Sequence, residues 1–195
     1  MDNNKPMVIC ILGRSCSGKD LLSQVLRAQF NIEPIVSYTT KPKRQDQIEG
    51  KDHIFISGQE YLEKFANTYK IAYTNINGYS YFTMPEQFYT LKPGEIRSYI
   101  LDPFGYQNFR AEFRDKINIY TIYLLCNYDT RRHRSQYKVN RPLTTFNERE
   151  IMENIPFQMF EHQELVNCDL IINSSKQDFW MEAFLNIFKD IKREG

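Results

Sequence analysis

The sequence carries almost no excess of charge. Its 25 Lys and Arg residues stand against 24 Asp and Glu, for a formal net charge of +1. No bulk field therefore draws the chain to nucleic acid or to an anionic membrane surface. It lacks any apolar run long enough to span a membrane, and no signal peptide is expected. Its cysteines, Cys10, Cys16, Cys126 and Cys168, have neither the close pairing of a disulfide framework nor metal-ligand spacing. They read as reduced thiols. Internal repeats and low-complexity linkers are missing too. At 195 residues the chain is long enough for one full core plus inserted subdomains. The expectation is a soluble, cytoplasmic α/β enzyme.

Against that background one stretch stands out, Gly13-Arg14-Ser15-Cys16-Ser17-Gly18-Lys19-Asp20. It follows the apolar run Val8-Ile9-Cys10-Ile11-Leu12 and leads into Leu21, Leu22, Val25 and Leu26, which form one helical stripe. The order is buried strand, glycine-bounded loop, helix, and the loop fits the phosphate-cradling pattern G-x-x-x-x-G-K. Two glycines let successive N–H groups converge on phosphate oxygens, and the helix N-terminus adds a positive end. Lys19 is placed to reach the outer phosphates as a mobile point charge. Asp20 stands where the pattern usually has a Ser or Thr ligand for Mg²⁺. A carboxylate is a hard-oxygen Mg²⁺ ligand, directly or through water. It is equally a favourable charge in the first helical turn, and both readings stay open.

Further along, Ser37-Tyr38-Thr39-Thr40-Lys41-Pro42-Lys43-Arg44 sets cations among hydroxyls, either as a second anion site or as a solvated basic loop. Ser57-Gly58-Gln59-Glu60 has capping-box spacing for a helix to about residue 67. Asn77-Gly78 between β-rich segments predicts a hairpin. A strand over about 96–101 ends at Asp102, the strand end at which open parallel sheets bind ligands. Helix 106–116 and strand 119–125 follow, then the basic residues Arg131, Arg132, His133, Arg134, Lys138 and Arg141. Thr145-Phe146-Asn147-Glu148 has capping-box spacing for a helix interrupted or kinked near Pro156. After a last strand over 169–173, Trp180, Phe184, Ile187, Phe188 and Ile191 share one face of a final helix, read as core. This alternation predicts a parallel sheet covered on both faces, with 34–90 too polar and irregular to be one simple crossover.

Taken together, the chain resembles the guanylate kinases over nearly its whole length. The family's S-x-T-T-R-x-x-R-like run is matched by Ser37 to Arg44. Its G-x-D-Y-x-F-V-S is matched by Gly50-Lys51-Asp52-His53-Ile54-Phe55-Ile56-Ser57, and its G-x-x-Y-G-[ST] turn by Gly78-Tyr79-Ser80-Tyr81-Phe82-Thr83. The resemblance implies a P-loop kinase core over 1–35, 90–126 and 146–195, an acceptor-binding insert over 36–89 and a short lid over 127–145. It implies ATP on Gly13, Arg14, Ser15, Cys16, Ser17, Gly18, Lys19 and Asp20, with Mg²⁺ at Asp20 and the adenine near Asn173. Ser37, Lys41, Arg44, His53, Tyr81, Thr83 and Asp102 are implied for the acceptor. Arg131, Arg134, Arg141 and Arg149 fall in the lid region that supplies arginines to the moving phosphoryl group, with Lys19, Arg134, Arg141 and Arg149 taken as the catalytic set.

The departures concern the substrate. Lys41 replaces an arginine and His53 a tyrosine, while Ala72 and Ile100 stand where the family has carboxylates that read guanine. A carboxylate is the natural acceptor for guanine's donor edge, so weak base discrimination is expected. The ribose 1,5-bisphosphate phosphokinases, which share Gly-Lys-Asp and the histidine, resemble the chain less closely. Peptide-binding guanylate kinase-like modules are a further reading, opposed by the intact Gly13, Gly18 and Lys19. Nucleotide substrates, and neither nucleic acid nor membrane, are the expected partners.

Overall fold

The computed structural model describes residues 2, 4–45, 47–137, 142–179, 181, 185–187 and 189. All six residues of β1 (Met7–Leu12) are buried. Val8, Cys10 and Leu12 feed one core, and Met7, Ile9 and Ile11 feed the other. A strand that alternates between two buried faces must be apolar throughout, which explains the unbroken run in the sequence. α1 (Lys19–Phe30) follows and stops at Asn31, whose left-handed φ of 58° lets its N–H return to Arg27 O.

The chain then leaves the main layer for β2 (Tyr38–Thr39), β3 (Ile54–Phe55) and α2 (Gly58–Glu60). Ser57 caps α2 by accepting from the Glu60 amide at 2.9 Å, as its spacing implies. The helix continues through a wide π turn, Tyr61–Phe65. β4 (Ile71–Ile76) and β5 (Tyr79–Thr83) form the expected hairpin, with φ of 52° at Asn77 and 80° at Gly78. Two positive φ angles in a two-residue loop match the twist of the flanking strands. This insert is a small sheet in the order β3-β2-β5-β4. Its apolar side is aromatic, with Tyr38 stacked on Phe82 at 5.3 Å and Phe65 tilted against both rings.

α3 (Glu86–Tyr89) leads back to β6 (Ile96–Ile100), α4 (Pro103–Phe113), β7 (Asn118–Leu125), α5 (Tyr128–Tyr137), α6 (Leu143–Gln163) and β8 (Leu170–Asn173). The main sheet has the order β6-β1-β7-β8 and is parallel throughout. Beside β6, Pro34 bridges Ser98 in parallel, with Ile35 N–H on Ser98 O at 2.7 Å, which extends the edge by a short further segment. A parallel sheet flanked by helices is the architecture expected from the alternation of elements.

Two helix starts differ from the sequence reading. α4 begins at Pro103 rather than 106, because Asp102 caps it through Gly105 N–H at 2.8 Å and Pro103 fits the first turn at no cost in hydrogen bonds. α6 begins at Leu143 behind Pro142, and no side chain caps it. Thr145 therefore lies inside the first turn, where the proline's fixed φ has started the helix ahead of the capping-box spacing. Pro156 lies within α6 without ending it. Of the terminal apolar face, Ile187 is buried in the core, while Trp180, Phe184, Phe188 and Ile191 lie outside the described residues, as does Arg141.

Candidate active site

The loop between β1 and α1 needs its glycines. Gly13 has φ of +148°, and a Cβ there would lie 2.8 Å from Leu124 O and 2.7 Å from Ser17 Oγ. Gly18 has φ of +104°, and a Cβ there would strike the Phe179 ring at 2.5 Å. Between them Cys16 takes a left-handed φ of 63°, uncommon for a side chain with a Cβ. The loop curls over Lys19, whose Nζ donates to Gly13 O at 2.6 Å and Arg14 O at 3.1 Å. Burial pulls the Lys19 pKa below the ordinary lysine value, against the opposing pull of the Glu153 and Asp20 carboxylates. Asp20 lies exposed on the first turn of α1. Ser17 is fully buried, and its Oγ has no hydrogen-bond partner among the described residues. An orphaned hydroxyl inside a loop of convergent amides fits an anion-binding cradle.

Long-range carboxylates of α6 fix this loop, and sequence reasoning missed all of them. Arg14 turns its guanidinium away to a two-point pair with Glu161, at 3.2 and 3.1 Å, and lies 5.5 Å over the Phe157 ring. Tyr123 donates its hydroxyl to the same carboxylate. Burial opposes the Glu161 charge, but the Arg14 and Tyr123 bonds win and hold its pKa below the ordinary range. Glu153 accepts from both the backbone N–H of Ser15, at 2.8 Å, and its hydroxyl. Arg149 Nη1 donates to that same Ser15 Oγ at 3.1 Å.

The remaining arginines separate by environment. Arg131 is 4% exposed, grips Glu150 with both Nη atoms and donates to Cys126 O at 3.2 Å. Its guanidinium also lies near the Tyr128 and Phe146 rings. Arg134 bridges the carbonyls of Ser17, at 3.2 Å, and Ser174, at 2.6 Å, above the Phe179 ring. It ties α5 to the loop and to the end of β8. Asn173 is exposed at that end, with its Oδ1 on Ser175 N–H at 3.1 Å.

The insert brings Ser37, His53 and Tyr81 together. Ser37 Oγ lies 2.9 Å from His53 Nδ1, and the His53 and Tyr81 rings meet edge-on at 5.6 Å. Burial lowers the His53 pKa from its ordinary value. Lys41 is half-buried, with its N–H on Thr39 Oγ1 at 3.1 Å, and Arg44 lies exposed farther along the same loop. Thr83 is fully buried, and its hydroxyl meets Tyr99 OH at 2.7 Å and Ile71 O at 3.2 Å. Ala72 has φ of 53° and sits against Gly105, where a Cβ would come within 3.0 Å of its methyl group. Its N–H is taken by Asn108 Oδ1 at 3.0 Å. Burial raises the Asp102 pKa, and the charges of Lys19 and Glu153 act on it, just as Asp20 acts on His53.

Such a loop between the first strand and helix of a parallel sheet, with a small sheet inserted before the next strand, defines the P-loop α/β class. Within that class the chain belongs to the guanylate kinase family, whose model matches residues 3–188. It is similar to the guanylate kinase of Wolinella succinogenes, at 28% identity over 115 residues covering 58% of this chain and 54% of that protein. The guanylate kinase of Mesoplasma florum is 30% identical over 124 residues, covering 63% of this chain and 41% of that protein. The chain thus spans about half the length of the curated relatives it matches. The crystal structure of guanylate kinase from Anaplasma phagocytophilum superposes with a TM-score of 0.64, covering 98% of this chain and 87% of that one at 18% identity. This last likeness speaks for the fold.

Proposed function

We propose that the protein moves the γ-phosphoryl group of ATP onto the phosphate of a nucleoside monophosphate. The observations that carry this reading are the glycine-bounded loop around Lys19 with its orphaned Ser17 hydroxyl, and the cluster of Ser37, His53 and Tyr81 on the insert. Phosphoryl transfer needs alignment and charge neutralisation more than covalent help. The loop and Lys19 hold the donor. Ser37, His53 and Tyr81, with Lys41 and Arg44 from the adjoining loop, hold the acceptor phosphate. Arg149, which reaches the Ser15 hydroxyl, is assigned to the transferring phosphoryl group. Arg131 is committed to Glu150, and Arg14 contributes backbone rather than charge.

The described residues offer no cluster of three or more His, Cys, Asp or Glu side chains for a metal. Mg²⁺ keeps waters and binds through one or two carboxylates together with substrate phosphates. We assign Mg²⁺ to Asp20 on the first turn of α1, and the ion would supply neutralising charge at the phosphate oxygens. Asp20→Asn keeps size and helix compatibility but removes the charge. It is expected to raise the Mg²⁺ concentration needed for half-maximal rate with little change in melting temperature, and an unchanged Mg²⁺ titration returns Asp20 to a helix-terminus role.

The base is read weakly. Ala72 is packed against Gly105, Ile100 has only an aliphatic chain, and the Thr83 hydroxyl is already engaged, so none of the three brings a carboxylate to a base. A site with no stranded polar groups imposes no large penalty on the wrong ligand. ADP release with a panel of ribo- and deoxyribonucleoside monophosphates and ribose 1,5-bisphosphate tests the whole reading. GMP is expected to be used, with other monophosphates within roughly a hundredfold in kcat/KM. Selectivity for GMP above about a thousandfold assigns base reading to another group, Asp102 first. Turnover of the sugar bisphosphate alone overturns the nucleotide assignment.

A further inference from the structure

Of the three α6 carboxylates near the loop, Glu150 and Glu161 hold arginines, while Glu153 turns onto the loop itself. Its Oε2 takes the Ser15 N–H at 2.8 Å and its Oε1 the Ser15 hydroxyl. That amide belongs to the cradle formed between Gly13 and Lys19, so an anion already sits where the loop would offer hydrogen bonds to phosphate. Glu153 is half-buried at that point. We propose that Glu153 is a built-in competitor for the donor phosphate, a side chain that must leave Ser15 before a polyphosphate binds and that thereby sets donor affinity. This rests on the kinase reading above.

The physical argument is exclusivity. One N–H serves one strong acceptor, and a carboxylate beside phosphate oxygens in a partly buried cleft is repelled by them. The apparent affinity of the loop is then its intrinsic affinity scaled by the fraction of molecules in which Glu153 has moved away. Arg149 lies four residues before Glu153 on α6, hence on the same face, and donates to the same Ser15 hydroxyl. Departure of Glu153 therefore leaves Arg149 facing the incoming anion. A single displacement exchanges a negative neighbour of the phosphate for a positive one.

The test is calorimetric binding of ADP and of inorganic tripolyphosphate to the wild-type chain and to Glu153→Gln, beside the KM for ATP and for acceptor. Both ligands are expected to bind the variant about tenfold tighter, with KM for ATP falling and the acceptor KM unmoved. A merely structural Glu153 would give weaker or unchanged binding, and either result overturns the proposal while leaving the kinase reading intact. Should Glu153→Gln melt early, Glu153→Asp keeps the charge but draws it back by one methylene, and binding between those of wild type and Gln is expected. Binding by Glu153→Asp no tighter than wild type overturns the proposal. Failure of wild type and variants alike to bind either ligand overturns both readings.

Discussion

Lys19→Ala is expected to lower phosphoryl transfer by roughly a hundredfold or more while the protein stays folded. The ammonium is held within the loop by two backbone carbonyls, at 2.6 and 3.1 Å. Those carbonyls are good partners in the resting loop but neutral ones. A phosphate gathering negative charge in the transition state is a stronger partner for the same cation. The charge therefore counts most at the moment of transfer, which is the condition for raising kcat rather than only binding. Removal relieves a partly desolvated cation but frees two carbonyls, so the melting temperature should change little. ADP release and thermal melting of the same preparation check both halves. Near-normal turnover by a folded variant would falsify the assignment of the loop.

The second large effect separates two arginines that look alike in sequence. Arg131→Ala is expected to cost about 3–5 kcal/mol of stability, because it strands Glu150 beside a core in which the pair had been satisfied. Arg149→Ala, by contrast, loses one bond to a serine hydroxyl and should change stability by no more than about 1 kcal/mol. Its cost appears in rate, roughly a hundredfold, if it meets the transferring phosphoryl group. Denaturant unfolding and steady-state kinetics on both variants give a crossed result: one protein unstable, the other slow. The reverse pattern, a stable Arg131→Ala with lost turnover, would move the arginine role to Arg131.

Much of this molecule is legible locally. The loop declares itself because glycine, glycine and lysine act within one turn of chain, and β1 because burial on both faces leaves no polar position. The hairpin at Asn77-Gly78 is equally local, since only those residues tolerate its two positive φ angles cheaply. What stays hidden is what depends on distant chain. Glu153 lies 138 residues from Ser15, and Glu161 lies 147 from Arg14. No spacing rule connects them, so Arg14 reads as a phosphate ligand until Glu161 is seen to hold it. Thr83 is a similar case. Its motif suggests a hydroxyl facing ligand, but Tyr99, from a strand of the other sheet, occupies it. Asp102 lies just beyond β6 and also caps α4, a double use that the strand pattern alone does not show, since Pro103 starts the helix earlier than its apolar spacing implies.

Pro156 gives α6 a joint. It has no N–H for the carbonyl of Met152, and its ring crowds that carbonyl, so the helix is mechanically softest one residue before Glu153. Beyond the proline, Phe157 and Phe160 are buried in the main core and Glu161 is locked to Arg14. Ahead of it lie Arg149 and Glu153, the two side chains that meet Ser15. Ahead of the proline the helix is anchored as well, by buried Phe146 and by Glu150 on Arg131, so the slack at Pro156 falls to the short turn that carries Glu153, while Arg149 keeps its place beside Ser15.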